Sequence, residues 1–105
     1  MDNFKEREKA FEKKFAHDAE MQFRAEARRN RLVGQWAAGL LGMTEVEAQA
    51  YAQEVVKADF EEAGDGDVMR KLETDLGDRA DRATIRAKMD ELLAVARAQI
   101  MAEHS

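Results

Sequence analysis

Two histidines, five clustered carboxylates, a glycine pair and a knot of arginines are the residues here whose types and spacing could do chemistry. His17 lies in a highly charged N-terminal stretch and His104 is the penultimate residue. A general base must be held in a pocket, and neither position suggests one. Asp18 adjoins His17, but neighbouring residues of a helix point about 100° apart, so the carboxylate does not orient the imidazole. His17 reads as a solvated side chain, or as a pH-sensitive contact. Asp59, Glu61, Glu62, Asp65 and Asp67 invite a metal site. A calcium loop needs oxygen ligands at its first, third and fifth positions and glycine at its sixth. From Asp65 the run is D-G-D-V-M-R, with methionine and arginine in the last two places. It fails, and the acids read as turn and helix-start carboxylates.

The G-Q-W-A-A-G run at residues 34–39 opens like a phosphate loop, but Leu40 and Leu41 replace the required Lys and Ser/Thr. Its glycines read as places of close helix contact or of a softened helix. Arg28, Arg29 and Arg31 form the one basic knot. Glu20 and Glu26 stand beside it and no aromatic ladder accompanies it, so it reads as the solvated shoulder of a helix rather than a nucleic-acid patch. Trp36 is most simply a large core filler. There is no cysteine, which excludes disulfides, thiolate metal sites and cysteine nucleophiles. No acid, base, nucleophile or ligand set is assembled: the residues point to binding, not catalysis, with no metal.

The elements that would position these residues are helices. The 105 residues are 45% hydrophobic and 37% charged, with no proline, and Ala, Glu, Arg, Lys, Leu and Met, which favour helix, outnumber β-branched types. The prediction is all-α: an antiparallel four-helix bundle with a flexible, helix-prone N-terminal arm. The arm takes residues 1–18 and the bundle 19–105, with helices at about 19–41, 44–62, 66–76 and 82–102. Met21, Ala25, Leu32, Trp36 and Leu40 share one side of the first, with Val33 at its edge. Gly42 supplies the positive φ of a helix stop, and Thr44 with Glu47 forms a capping box. The second helix turns Ala48, Tyr51, Ala52, Val55, Val56 and Phe60 inward. The G-D-G-D turn at residues 64–67 joins chain reversal to an N-cap carboxylate. Val68, Met69, Leu72 and Leu76 then form a stripe ending at Gly77. Asp81 or Thr84 caps the fourth helix, whose stripe is Ile85, Met89, Leu92, Leu93, Ala96 and Ile100. Short connections favour an up-and-down arrangement. The longest apolar run, residues 36–41, is far too short to span a bilayer. With no signal peptide and no cysteine, a soluble cytoplasmic protein is expected. A pI near 5.1 argues against nucleic acid as the main partner.

The arm is different. Residues 1–31 hold nine basic and seven acidic residues, a surplus of +2, against −7 over the remainder and −5 overall. Phe4, Phe11 and Phe15 fall within about 40° of one another at helical spacing, a ridge one residue wide interrupted by Glu8. That ridge is offset by roughly 80° from the Met21–Leu32–Trp36 side, so one straight helix would not bury both in the same core. Two readings remain: a frayed terminus, or a helix that docks in a partner's groove through sparse anchors at i, i+7 and i+11.

The blocks KFAHDAE, A-R-R-N-R-L at residues 27–32, WAAGLLG, DFEEAGDGDV and IRAKMDEL together resemble the zeta-subunit family of α-proteobacterial F-type ATP synthase inhibitors, across essentially the whole length. The resemblance implies a four-helix bundle whose mobile N-terminal segment inhibits ATP hydrolysis. That segment would enter the catalytic head between catalytic and non-catalytic subunits, near the central stalk, and hinder rotation. The partners implied are these head subunits and the stalk, with the free protein a monomer held at the inner membrane only through the synthase. Within the arm, Phe4, Phe11 and Phe15 are assigned as anchors and Arg7, Lys9, Lys13 and Lys14 as electrostatic partners, from the ridge geometry. The alternative is a non-inhibitory helical binding module. Weak ATP or ADP binding is also suggested by the resemblance, though no motif in the chain supports it.

Overall fold

A computed structural model describes the backbone of residues 2–59 and 65–104, and the side chains of residues 19–59 and 65–103. The described residues form four α-helices: α1 Asp2–Leu40, α2 Glu45–Ala58, α3 Gly66–Leu76 and α4 Arg82–His104, with a 3₁₀ turn at Gly77–Arg79. The expected all-α, antiparallel four-helix bundle is the fold this chain adopts. Polar pairs tie the elements together: Arg28 meets Glu103 between α1 and α4, Tyr51 meets Asp75 between α2 and α3, and Asp65, just before α3, meets Arg86 of α4.

Local chemistry sets the turns. Gly42, at φ +71°, takes the left-handed conformation that ends α1. Its N–H donates to the Gly39 carbonyl at 3.2 Å, and the Met43 N–H reaches back to the Ala38 carbonyl at 3.0 Å. This paired closure satisfies carbonyls that the helix end would otherwise leave open. One residue later the Thr44 hydroxyl accepts from the Glu47 N–H at 3.2 Å, and Glu47 accepts from the Thr44 N–H at 3.0 Å. That reciprocal box starts α2. Asp81 caps α4, accepting from the Thr84 N–H at 2.8 Å. Asp65 does not cap α3 through its side chain as expected; its carboxylate is committed to Arg86 instead, with Arg86 Nη1 donating at 2.6 Å.

The main core brings Val33, Ala37 and Ala38 of α1 against Tyr51 and Val55 of α2, all four apolar residues of the α3 stripe, and Ile85 and Met89 of α4. A smaller cluster, Ala25, Ala96 and Ile100, joins α1 to α4 alone. The expected face of α1 needs correction. Val33 lies at its centre, not its edge, with no exposure. Leu40 is 41% exposed at the helix end. Trp36 is not a central filler: it packs half-buried at the margin, with the Lys88 ammonium 5.8 Å from its ring centre. The reason is that α1 packs on α2 along one side and α4 along the other, so small residues occupy the middle and larger ones flank it. Gly34 makes the closest approach. A Cβ built there would stand 2.8 Å from the Ala52 Cα, so this glycine lets α1 and α2 cross backbone to backbone. Phe60, expected inside, lies outside the described residues.

Candidate functional site

The sequence places the interaction site on Phe4, Arg7, Lys9, Phe11, Lys13, Lys14 and Phe15. The backbone there is helical as part of α1, but these side chains, like those of His17 and His104, lie outside the described residues. Glu61 and Glu62 of the acidic cluster do too. Among the described residues no group of three His, Cys, Asp or Glu side chains could hold a metal ion. Asp67 instead pairs with Arg70.

What the structure describes is the part of the bundle from which that segment issues. α2 is shorter than α1 and α4, and where it ends a groove of about 740 Å³ opens between the three helices. Its apolar surface comes from Phe23, Ala27, Val56 and Ile100. Arg24, Arg28, Arg31 and Lys57 give it four cations against one carboxylate, Glu103. Arg24 donates to Glu20 at 2.8 Å. Arg28 forks across to Glu103, with Nη2 at 2.8 Å from Oε1 and Nη1 on the other oxygen, and also reaches Gln99 at 3.4 Å. The hydrogen bond from Arg28 holds the Glu103 carboxyl below its usual range, and Glu103 raises the guanidinium in turn. Arg31 and Lys57 are exposed and make no ion pair with any described residue.

Beneath the groove the arginine knot divides. Arg28 and Arg31 face the surface region, but Arg29 is buried, and its Nε donates to the fully buried Asn30 side chain at 3.1 Å. The expectation of a solvated shoulder fails for Arg29, because α1 turns that side toward the end of α2 and the start of α3. Burial pushes the Asp59 carboxyl above its usual range, against the pull of Arg29 and Asn30. Asp65, held by the hydrogen bond from Arg86, sits below it. On the far side Tyr51 donates to Asp75 at 2.7 Å, and Lys71 bridges Asp75 at 3.0 Å and Glu54 at 3.5 Å. Burial first, then Asp75, drives the Tyr51 hydroxyl upward. These groups are engaged with one another and lock helices together.

Sequence reading missed the groove, although one signal was present. Arg24, Arg28 and Arg31 recur at i, i+4 and i+7, with Phe23 beside them, which marks a basic face one helix turn deeper than the knot at residues 28–31. Lys57 and Val56 arrive from another helix and carry no such signal.

A protein-family model described as ATPase inhibitor subunit zeta matches residues 1–99. Among solved structures, a protein determined by solution NMR is 60% identical, with a TM-score of 0.73 over 79% of this chain and 98% of that one. No curated protein matches the sequence.

Proposed function

The chain belongs to the ATPase inhibitor subunit zeta family, and from that premise we propose that it inhibits the F-type ATP synthase by inserting its N-terminal helix into the catalytic head. Family membership gives the inhibitory role; the observation that carries the finer reading is that the family match takes in residues 1–18, the segment with five basic residues, five acidic ones and the sparse phenylalanines. Blocking a rotary motor needs no bond chemistry. It needs a wedge that binds one conformation of the motor better than the next, which holds the motor in that conformation. Phe4, Phe11 and Phe15 supply deep apolar contacts, and Arg7, Lys9, Lys13 and Lys14 set register against carboxylates of the head. The bundle keeps the wedge near its site, raising its effective concentration there. Among the described residues no helix is long and apolar enough to cross a membrane, which fits attachment through the synthase.

The test is inhibition of ATP hydrolysis by the isolated catalytic head. Phe11→Ala and Phe15→Ala each remove an anchor worth about 2 kcal/mol or more, and should raise the concentration for half-inhibition by about thirtyfold or more. Helical circular dichroism and the unfolding midpoint should stay put. Unchanged inhibition would sink the anchor assignment, and a lowered midpoint would place the phenylalanines in the bundle core.

A further inference from the structure

We propose that the groove between α1, α2 and α4 is a second docking site, for an acidic amphipathic helix of the same ATPase. It rests on the inhibitory reading for the partner's identity and on the groove's own chemistry for the rest. The floor is apolar at Phe23, Ala27, Val56 and Ile100, and Phe23, a large aromatic side chain, is 58% exposed beside it. An aromatic held at the mouth of an apolar groove is the kind of residue that carries binding energy in protein interfaces. The rim is cationic although the whole chain is at −5. The net negative charge opposes approach of a second copy of the chain, while the local positive field draws in carboxylates at the groove and thereby orients the partner.

The division of labour among the four cations sharpens the choice. Arg28 is tied to Glu103 across α1 and α4, and Arg24 to Glu20 within α1. Arg31 and Lys57 stand on opposite walls, one on α1 and one on α2, both lining the opening without an ion pair to any described residue. Two available cations flanking an apolar floor fit a helix that presents an aliphatic stripe bordered by Asp or Glu. The arm of the same chain, residues 1–18, carries five basic and five acidic residues, so it lacks the acidic surplus that a cationic rim selects. The site would act as a foothold: it binds the bundle to the head while the N-terminal helix does the blocking.

The experiment uses the full chain and the isolated catalytic head of the synthase. Benzoylphenylalanine replaces Phe23, and in a control it replaces Val46, which is 77% exposed on α2. On irradiation, the position-23 probe should cross-link to a helical head segment with a surplus of Asp and Glu, well above the Val46 control. Raising the salt should weaken the cross-link. The double variant Arg31→Glu/Lys57→Glu should reduce it at least fivefold (roughly 1 kcal/mol) while circular dichroism stays unchanged. Cross-linking no better than the control would overturn the proposal. So would a cationic target segment, a second copy of this chain as target, or indifference to the charge reversal. Calorimetric binding of ATP or ADP that the same double variant abolishes would reassign the groove to a small anion. Hydrolysis is read separately. If Phe11→Ala retains full inhibition while the cross-link forms, the arm reading fails alone; if Phe11→Ala weakens inhibition and no cross-link forms, the groove fails alone.

Discussion

The two ends of this bundle are built on different principles. At one end α1, α2, α3 and α4 close around Val33, Leu72, Leu76, Ile85 and Met89, all essentially without exposure. At the other, α1 and α4 meet over three buried residues, Ala25, Ala96 and Ile100, and the space beside them is an open, charged groove. The open end has an exposed phenylalanine and, in Arg31 and Lys57, two cations that make no ion pair with a described residue. The difference teaches that core packing is unevenly distributed along the axis of one helix, and the proposed partner surface lies where that packing is thinnest. The part of α1 near Gly34 is buried on two sides, whereas in the part before Arg31 the described residues bury only Ala25, Arg29 and Asn30.

The largest effect should come from the closed end. Leu72→Ala empties a fully buried site on α3 and should cost about 3–5 kcal/mol in urea unfolding. Ile100→Ala removes similar volume at the open end, where the groove adjoins it, so water can enter and the cost should be nearer about 2 kcal/mol. Equal costs would break the distinction between the two ends. Gly34→Ala comes next. The added methyl meets the Ala52 backbone at 2.8 Å and must force α1 and α2 apart, for about 1–3 kcal/mol measured the same way.

Acid unfolding probes the Asp65–Arg86 tie. Arg86 lowers the folded-state pKa of Asp65, so the pair's contribution is complete above the unfolded value and is lost as pH falls through the lower folded one. Arg86→Gln should therefore flatten the loss of stability below about pH 4. The pair is a third or more exposed, so the effect should stay below about 1 kcal/mol. The smallest change has the opposite sign. A Cβ at Gly39 meets nothing within 4 Å, so Gly39→Ala should stabilise by about 0.5–1 kcal/mol through helix propensity alone.

These two glycines also show what a sequence discloses and what it withholds. Both sit in one short run, and close contact or softening was a fair expectation for each; only tertiary geometry separates a helix crossing at Gly34 from open space at Gly39. The stripe of α3 was plain because that helix buries one narrow face, so Val68, Met69, Leu72 and Leu76 stand out against charged neighbours. Gly42 and the Thr44–Glu47 box were equally plain, since their chemistry is local. α1 misled because it is buried on two sides. Ala37 and Ala38 carry little apolar signal, and the larger Trp36 and Leu40 drew the face toward themselves. Arg29 and Asn30, polar by type, gave no hint of burial. The groove needed two helices to be brought together, and Lys57 could not be assigned to it from its own surroundings in the chain. The N-terminal assignments rest on spacing and family likeness.

If inhibition resides in residues 1–18 and stability in the bundle, the two should come apart when the chain is cut between them. The decisive comparison is ATP hydrolysis by the isolated catalytic head in the presence of the full chain or a chain beginning at Ala19, with urea unfolding of both. The expected result is that the shorter chain unfolds at nearly the same urea concentration and no longer inhibits. Equal inhibition by the two chains, or a shorter chain that fails to fold, would contradict it.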